Sequence, residues 1–259
     1  VVVNVSTSGI IKAYIDSTTQ SPSSVTAGSQ LTINALGSST PTVTSQQAAG
    51  GVVSGGGSSA SGLVTLQVDA YLGTSGGVFK TNTGSITVEA RGEGSISAQA
   101  NGINIGGISV GVSTASANWL ATINASVGSG TKLIAGNNID IIARHVNALV
   151  RSYATTSTGS LVGGTGSVAN TTATSILNTT LGQNSRLEAG NNIKINSQSS
   201  SITEAEASGR AYGLAAAGIT AVTNTLINTV NTQTQSGAFV DAGNISEITA
   251  LSTSNARKS

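Results

Sequence analysis

The chain has 259 residues, only 8% of them charged and 3% aromatic, and a formal net charge of +1. That balance gives no electrostatic footing for nucleic acid, and the apolar runs are short and Gly-interrupted, far below the roughly 20 residues of a membrane-spanning helix. Cys and Met are absent, which removes disulfides and thiolate metal sites and suits a chain exported unfolded across an outer membrane.

The hydrophobic fraction, 38%, is carried by Ala, Val, Ile and Leu, with one Trp, two Phe and four Tyr. A core built from these must be thin and filled by small side chains, because large rings are what fill wide interiors. Two prolines and abundant Val and Thr favour strands over disorder. No signal peptide opens the chain at Val1-Val2-Val3, so a targeting segment is expected outside it.

In chain order, the first copy of a motif is Val25-Thr26-Ala27-Gly28-Ser29-Gln30-Leu31-Thr32-Ile33. It returns as Thr81-Asn82-Thr83-Gly84-Ser85-Ile86-Thr87-Val88, which fits with one residue deleted. The clearest copies are Leu133 to Ile141 and Leu187 to Ile195, each containing Ala-Gly-Asn-Asn-Ile-x-Ile, and a partial copy runs from Val240 to Asn244. The glycines Gly28, Gly84, Gly136, Gly190 and Gly243 are 56, 52, 54 and 53 residues apart. Aligned on them, apolar residues recur at Ile15, Tyr71, Ile123, Leu177 and Val230, and a second column holds Val25, Thr81, Leu133, Leu187 and Val240. Small residues recur at Ala27, Thr83, Ala135, Ala189 and Ala242. Such columns are what stacked coils produce at strand spacing.

Apolar residues two apart, at Ile139 and Ile141 and at Ile193 and Ile195, indicate strands. So does the run with Ala205, Ala207, Gly209, Ala211 and Gly213 on one face and Glu204, Glu206, Ser208, Arg210 and Tyr212 on the other. Leu214-Ala215-Ala216-Ala217 favours helix, but Gly218 and the Thr/Val/Asn-rich continuation argue for strand. Counting back 29 residues from the glycines pairs Leu161 and Leu214 with Gly55 and Gly107. Length variation then falls on Gly50 to Gly57 and on His145 to Ser160, read as a loop-bearing side. The expected fold is all-β, a β-solenoid of about 53-residue repeats running as one array through residues 1–259. Each repeat is either two compact coils or one broad, flattened coil of two long strands.

The Ala-Gly-Asn-Asn-Ile-x-Ile motif at Ala135 to Ile141 and Ala189 to Ile195 resembles the coil motif of filamentous-haemagglutinin-like secreted adhesins. The long unit and the Ser/Thr/Ala/Asn-rich intervals look most like the leukotoxin-family filamentous adhesin repeats of bacteria. The resemblance implies export, a cell-surface location and a right-handed β-helix; it implies no toxin chemistry, since no functional residues match.

Residues suited to catalysis are scattered. His145 is the single histidine, and its place in the variable region predicts a solvent-exposed side chain. Among the acids only Glu204 and Glu206 share a strand face, the one pair that a polysaccharide-cleaving site would need. Gly76-Gly77 and Gly163-Gly164-Thr165-Gly166 lack the Asp of calcium-binding nonapeptides. The sequons at Asn4, Asn124, Asn170, Asn178 and Asn244 read as turn and ladder residues. Asn137-Asn138 and Asn191-Asn192, followed by Asn244, are expected to stack as amide ladders along the axis.

No cofactor and no metal is called for. The expected function is a structural, filament-forming protein with an adhesive role, self-associating end to end or continuing a longer array, with a surface receptor or glycan as partner. The alternatives are a module binding glycan or ice, and a polysaccharide-active enzyme.

Overall fold

The computed structural model describes residues 1–17 and 20–258. The elements among them are all strands: β1 (Val2–Ile15), β2 (Ser24–Ala27), β3 (Leu31–Ser39), β4 (Thr42–Ser75), β5 (Val78–Thr81), β6 (Ile86–Ser129) and β7 (Lys132–Ala135), followed by β8 (Ile139–Leu181), β9 (Arg186–Ala189), β10 (Ile193–Tyr212), β11 (Ala215–Thr234), β12 (Phe239–Ala242) and β13 (Ser246–Lys258). The segment in which helix competes with strand, Gly213 to Thr225, lies in β11 from Ala215 onward. The four-residue strands form a parallel sheet in the order β12-β9-β7-β5-β2, and the others pair in parallel into one long sheet.

β6 traces one coil. It runs outward from Ile86, turns at Gly106-Gly107 and returns to Ser129; β7 then forms a short third side, and Asn137-Asn138 leads into β8 one coil further on. The outward and return walls face each other across the interior. Within β8, Thr156 Oγ1 donates to Gly166 O at 2.8 Å, and Ser152 and Thr171 share a hydroxyl hydrogen bond of 2.7 Å. Of the two geometries open from sequence, each repeat is the single broad, flattened coil.

Pairing registers give the repeat its length. Ile86 opposes Ile139 and Ile193 opposes Ser246, both offsets of 53. The offset from Ile139 to Ile193 is 54. The added residue is a β-bulge at Asn147, whose φ of 56° is a left-handed conformation that Asn tolerates. Leu31 opposes Ile86 at 55. One of its two extra residues lies at the shift between Leu72 and Ser75, where Gly73 has φ 63°; the other lies between Thr81 and Ile86.

These insertions overturn several positions read from glycine spacing. The motif around Gly84 carries one residue more than its neighbours, not one fewer, so Gly84 is out of column; Asn82 underlies Gly136, and Asn137 N donates to Gly84 O at 3.0 Å. Phe79, fully buried, takes the place expected for Thr81 between Val25 and Leu133, and Thr81 takes that expected for Thr83 beside Ala27. The column through Ile123, Leu177 and Val230 continues to Val68 and Ile11, not to Tyr71 and Ile15. The presumed loops are strand: Gly50 to Gly57 lies inside β4 and His145 to Ser160 inside β8. Gly55 opposes Val110, so it is not the partner of Gly107.

The interior tapers. Near the short side it is filled by Phe79, Ile86, Leu133, Ile139, Leu187 and Ile193, all essentially inaccessible. Further along, Ala98, Ala100, Ala115 and Ala117 let the walls close in, and near the turn the buried positions become Asn104, Ser109, Ser113 and Thr158. Here the scarcity of rings shows its structural meaning. Small side chains bring the walls close enough for hydroxyls on one wall to reach the other, as Ser197 Oγ does in donating to Asn231 O at 2.6 Å.

Candidate functional site

The repeat positions identified from sequence occupy the corner where one coil passes to the next. Ile139, Ile141, Ile193 and Ile195 are buried. Asn191 Nδ2 donates to Asn137 Oδ1, and Asn244 Nδ2 to Asn191 Oδ1, each at 3.4 Å. The second asparagines work differently: Asn138 Oδ1 accepts from the Asn192 backbone N at 3.1 Å, and Asn192 Oδ1 from Ile245 N at 3.2 Å. Gly136, Gly190 and Gly243 each sit where an added Cβ would lie 2.3 to 2.4 Å from a backbone oxygen of the coil beneath. Gly28 has nothing within 4 Å of that point.

A tighter ladder lies on the return wall. Asn124 Nδ2 donates to Asp69 Oδ1 at 2.8 Å, Asn178 Nδ2 to Asn124 Oδ1 at 2.9 Å, and Asn231 Nδ2 to Asn178 Oδ1 at 3.1 Å. Lys12 Nζ is 3.8 Å from Asp69 on the adjacent coil. Asn124 and Asn178, read from the sequence as turn or ladder residues, are ladder residues, and the members not singled out are Asp69 and Asn231.

Charged side chains stand on outward faces and pair across coils. Arg151 Nε donates to Glu204 Oε2 at 2.7 Å, Tyr153 OH reaches the same oxygen at 3.4 Å, and Arg257 Nη1 donates to Oε1 at 3.4 Å. The depression that Tyr153, Glu204 and Arg257 line with Glu206 and Lys258 holds about 160 Å³. Glu204 is thus held between two guanidiniums, an ion-pair role, and Glu206 is exposed beside it. A second column sets Asp140 beside Lys194 and Lys194 beside Glu247. Burial raises the Asp140 pKa, against the lowering effect of Lys194, with Glu89 raising it further. Glu188 is lowered chiefly by its hydrogen bond from Arg186, whose guanidinium also lies 4.6 Å from the centre of the Phe239 ring. Among the described residues no group of three or more His, Cys, Asp or Glu could hold a metal, and no helix is long and apolar enough to cross a membrane.

His145, expected at the surface, is fully buried. It points inward from β8, its Nδ1 is 2.8 Å from Ser175 Oγ, and its ring stacks on Trp119 at 5.8 Å. Its in-register neighbours Gly92 and Ser199 are small, which makes room for the ring. Burial pushes its pKa down to about 4, so the ring is neutral at pH 7. The alternation that buries Ile139, Ile141 and Ala143 carries His145 inward in the same phase, since the Asn147 bulge lies beyond it; taking the stretch for a loop hid this.

No protein-family model matches the chain, and comparisons with curated proteins and with solved structures found no match. What the arrangement offers chemically is stacking: amides and ion pairs bonded from coil to coil, with hydroxyl hydrogen bonds crossing the interior.

Proposed function

We propose that the chain is a structural element of an extracellular, surface-bound fibre with an adhesive role, of the kind filamentous-haemagglutinin-like repeats build. One observation carries this reading. Parallel pairing runs from β1 through β4, β6, β8 and β10 to β13, so recurrent residues serve axial stacking. Main-chain edges lie at both axial faces, on β1, β3 and the first half of β4 and on β11 with β13, and an open edge is a template for further pairing, whether by more of the same chain or by another copy. Right-handed winding is the expected hand for parallel crossovers.

Electron microscopy of the purified protein tests the reading. Thin rods that lengthen with concentration are the expected result; discrete globular particles under all conditions would overturn it. The ice-binding alternative gains little, because Leu120, Ile176 and Ile227 interrupt the outward Thr columns of the return wall.

A further inference from the structure

The turn between the two walls forms a ridge along the solenoid that is apolar and nearly uncharged. Charged side chains are missing from residues 44–61, 100–118 and 154–178, and Arg210 is the single one between 207 and 234. Register places Val52, Gly107, Leu161 and Leu214 in one corner column, with Ile108 and Val162 in the column beside it. Val52 is 85% exposed, Leu161 62% and Leu214 90%, with Ile108 and Val162 above half. These side chains together expose on the order of 500 Å², within the 300–600 Å² range of the largest apolar patches on monomers. With the flanking residues, the ridge approaches the roughly 800 Å² that each partner contributes to a stable interface.

We infer that this ridge is a lateral interface between two copies of the chain, related by a two-fold axis perpendicular to the solenoid. The column reads large, glycine, large, large. An axis between the coils of Gly107 and Leu161 reverses that order in the second copy. Leu161 of each copy then enters the notch that Gly107 leaves in the other, and Val52 of each meets Leu214 of the other. Both ridges have the same coil repeat of about 4.8 Å, so the match holds along the whole contact, and no charge is buried by it. Such an isologous contact closes after two copies. It is independent of end-to-end growth: fibres lacking it stay single, and chains that fail to form fibres still dimerise.

The test uses the full chain, whose lack of cysteine makes introduced thiols unambiguous. At concentrations too low for rods to form, sedimentation equilibrium is expected to give a species of twice 25.3 kDa, reduced to monomer by Leu161→Asn with an unchanged far-ultraviolet β-sheet spectrum. The double variant Val52→Cys with Leu214→Cys, oxidised by diamide and run on a denaturing non-reducing gel, should give one dimer band. A ladder of larger species at that same low concentration, the product of axial contact between Val52 of one chain and Leu214 of the next, overturns the proposal. So does dimer formation by Val52→Cys alone, which signals parallel pairing. Monomer at every concentration, with or without adsorption to phosphatidylcholine vesicles, overturns it as well.

Discussion

Asn178 donates to Asn124 at 2.9 Å across a coil boundary and accepts from Asn231 at 3.1 Å. It thus stands in the middle of a ladder that ends on Asp69. Asn178→Ala removes both bonds, and at about 1 kcal/mol net for each it is expected to lower stability by about 1–2 kcal/mol in urea unfolding. The corner amides are looser, at 3.4 Å on both sides of Asn191. Asn191→Leu should therefore lower the melting temperature by less than Asn178→Ala. Equal losses would mean that the shorter contacts contribute nothing beyond packing.

The motif glycines are under steric demand from the neighbouring coil. Gly190 has no room for a Cβ, which would lie 2.4 Å from Gly136 O, whereas Gly28 faces open space in the same motif. Gly190→Ala must therefore push two coils apart and is expected to cost about 1–3 kcal/mol, as overpacking does. Gly28→Ala should be neutral or stabilise slightly by restricting the unfolded chain. Paired chemical-denaturation curves check this; a cost at Gly28 like that at Gly190 would contradict the close-approach explanation.

The tapered interior makes opposite demands at its two ends. Leu187, fully buried near the short side, is expected to cost about 2–5 kcal/mol when truncated to Ala. Ala117, buried where the walls approach, should instead resist enlargement, with Ala117→Leu costing about 1–3 kcal/mol. Urea midpoints of the two variants measure both.

The fold was legible from sequence because stacking repeats residue types at a near-constant offset, and in the coils after Ile86 that offset varies by a single residue. Earlier in the chain the same alignment misled. The insertions near Gly73 and between Thr81 and Ile86 shift the column, putting Phe79 where Thr81 was expected. A gap placed by matching glycines cannot see that Ile86, not Gly84, keeps the register. Asn124 and Asn178 were legible as turn or ladder residues, but Asn is so common here that the spacing tying them to Asp69 and Asn231 did not stand out. His145 follows Ile139, Ile141 and Ala143 at steps of two, so its burial was legible as well; it was placed outward because the length variation that the Asn147 bulge causes made the stretch read as a loop.

That misplaced residue gives the protein a specific acid sensitivity. The walls around His145 present Gly92, Ser199, Ser175 and Trp119, none of them charged. Burial is therefore the cause of its depressed pKa, which falls from 6.5 to about 4. Between those values the unfolded chain holds a proton on this ring that the folded chain does not. The stability contributed is fully present above pH 6.5 and is lost as pH falls toward 4, by about 3 kcal/mol at 1.36 kcal/mol per pKa unit. Carboxylates titrate in part of the same window, so the measurement is a difference. Urea unfolding of the wild type and of His145→Leu at pH 7 and pH 4.5 should show the wild type losing more stability on acidification. Trp119, the chain's single tryptophan, reports the unfolding by its fluorescence. Equal losses in both proteins would mean that His145 is protonated and accommodated in the folded state.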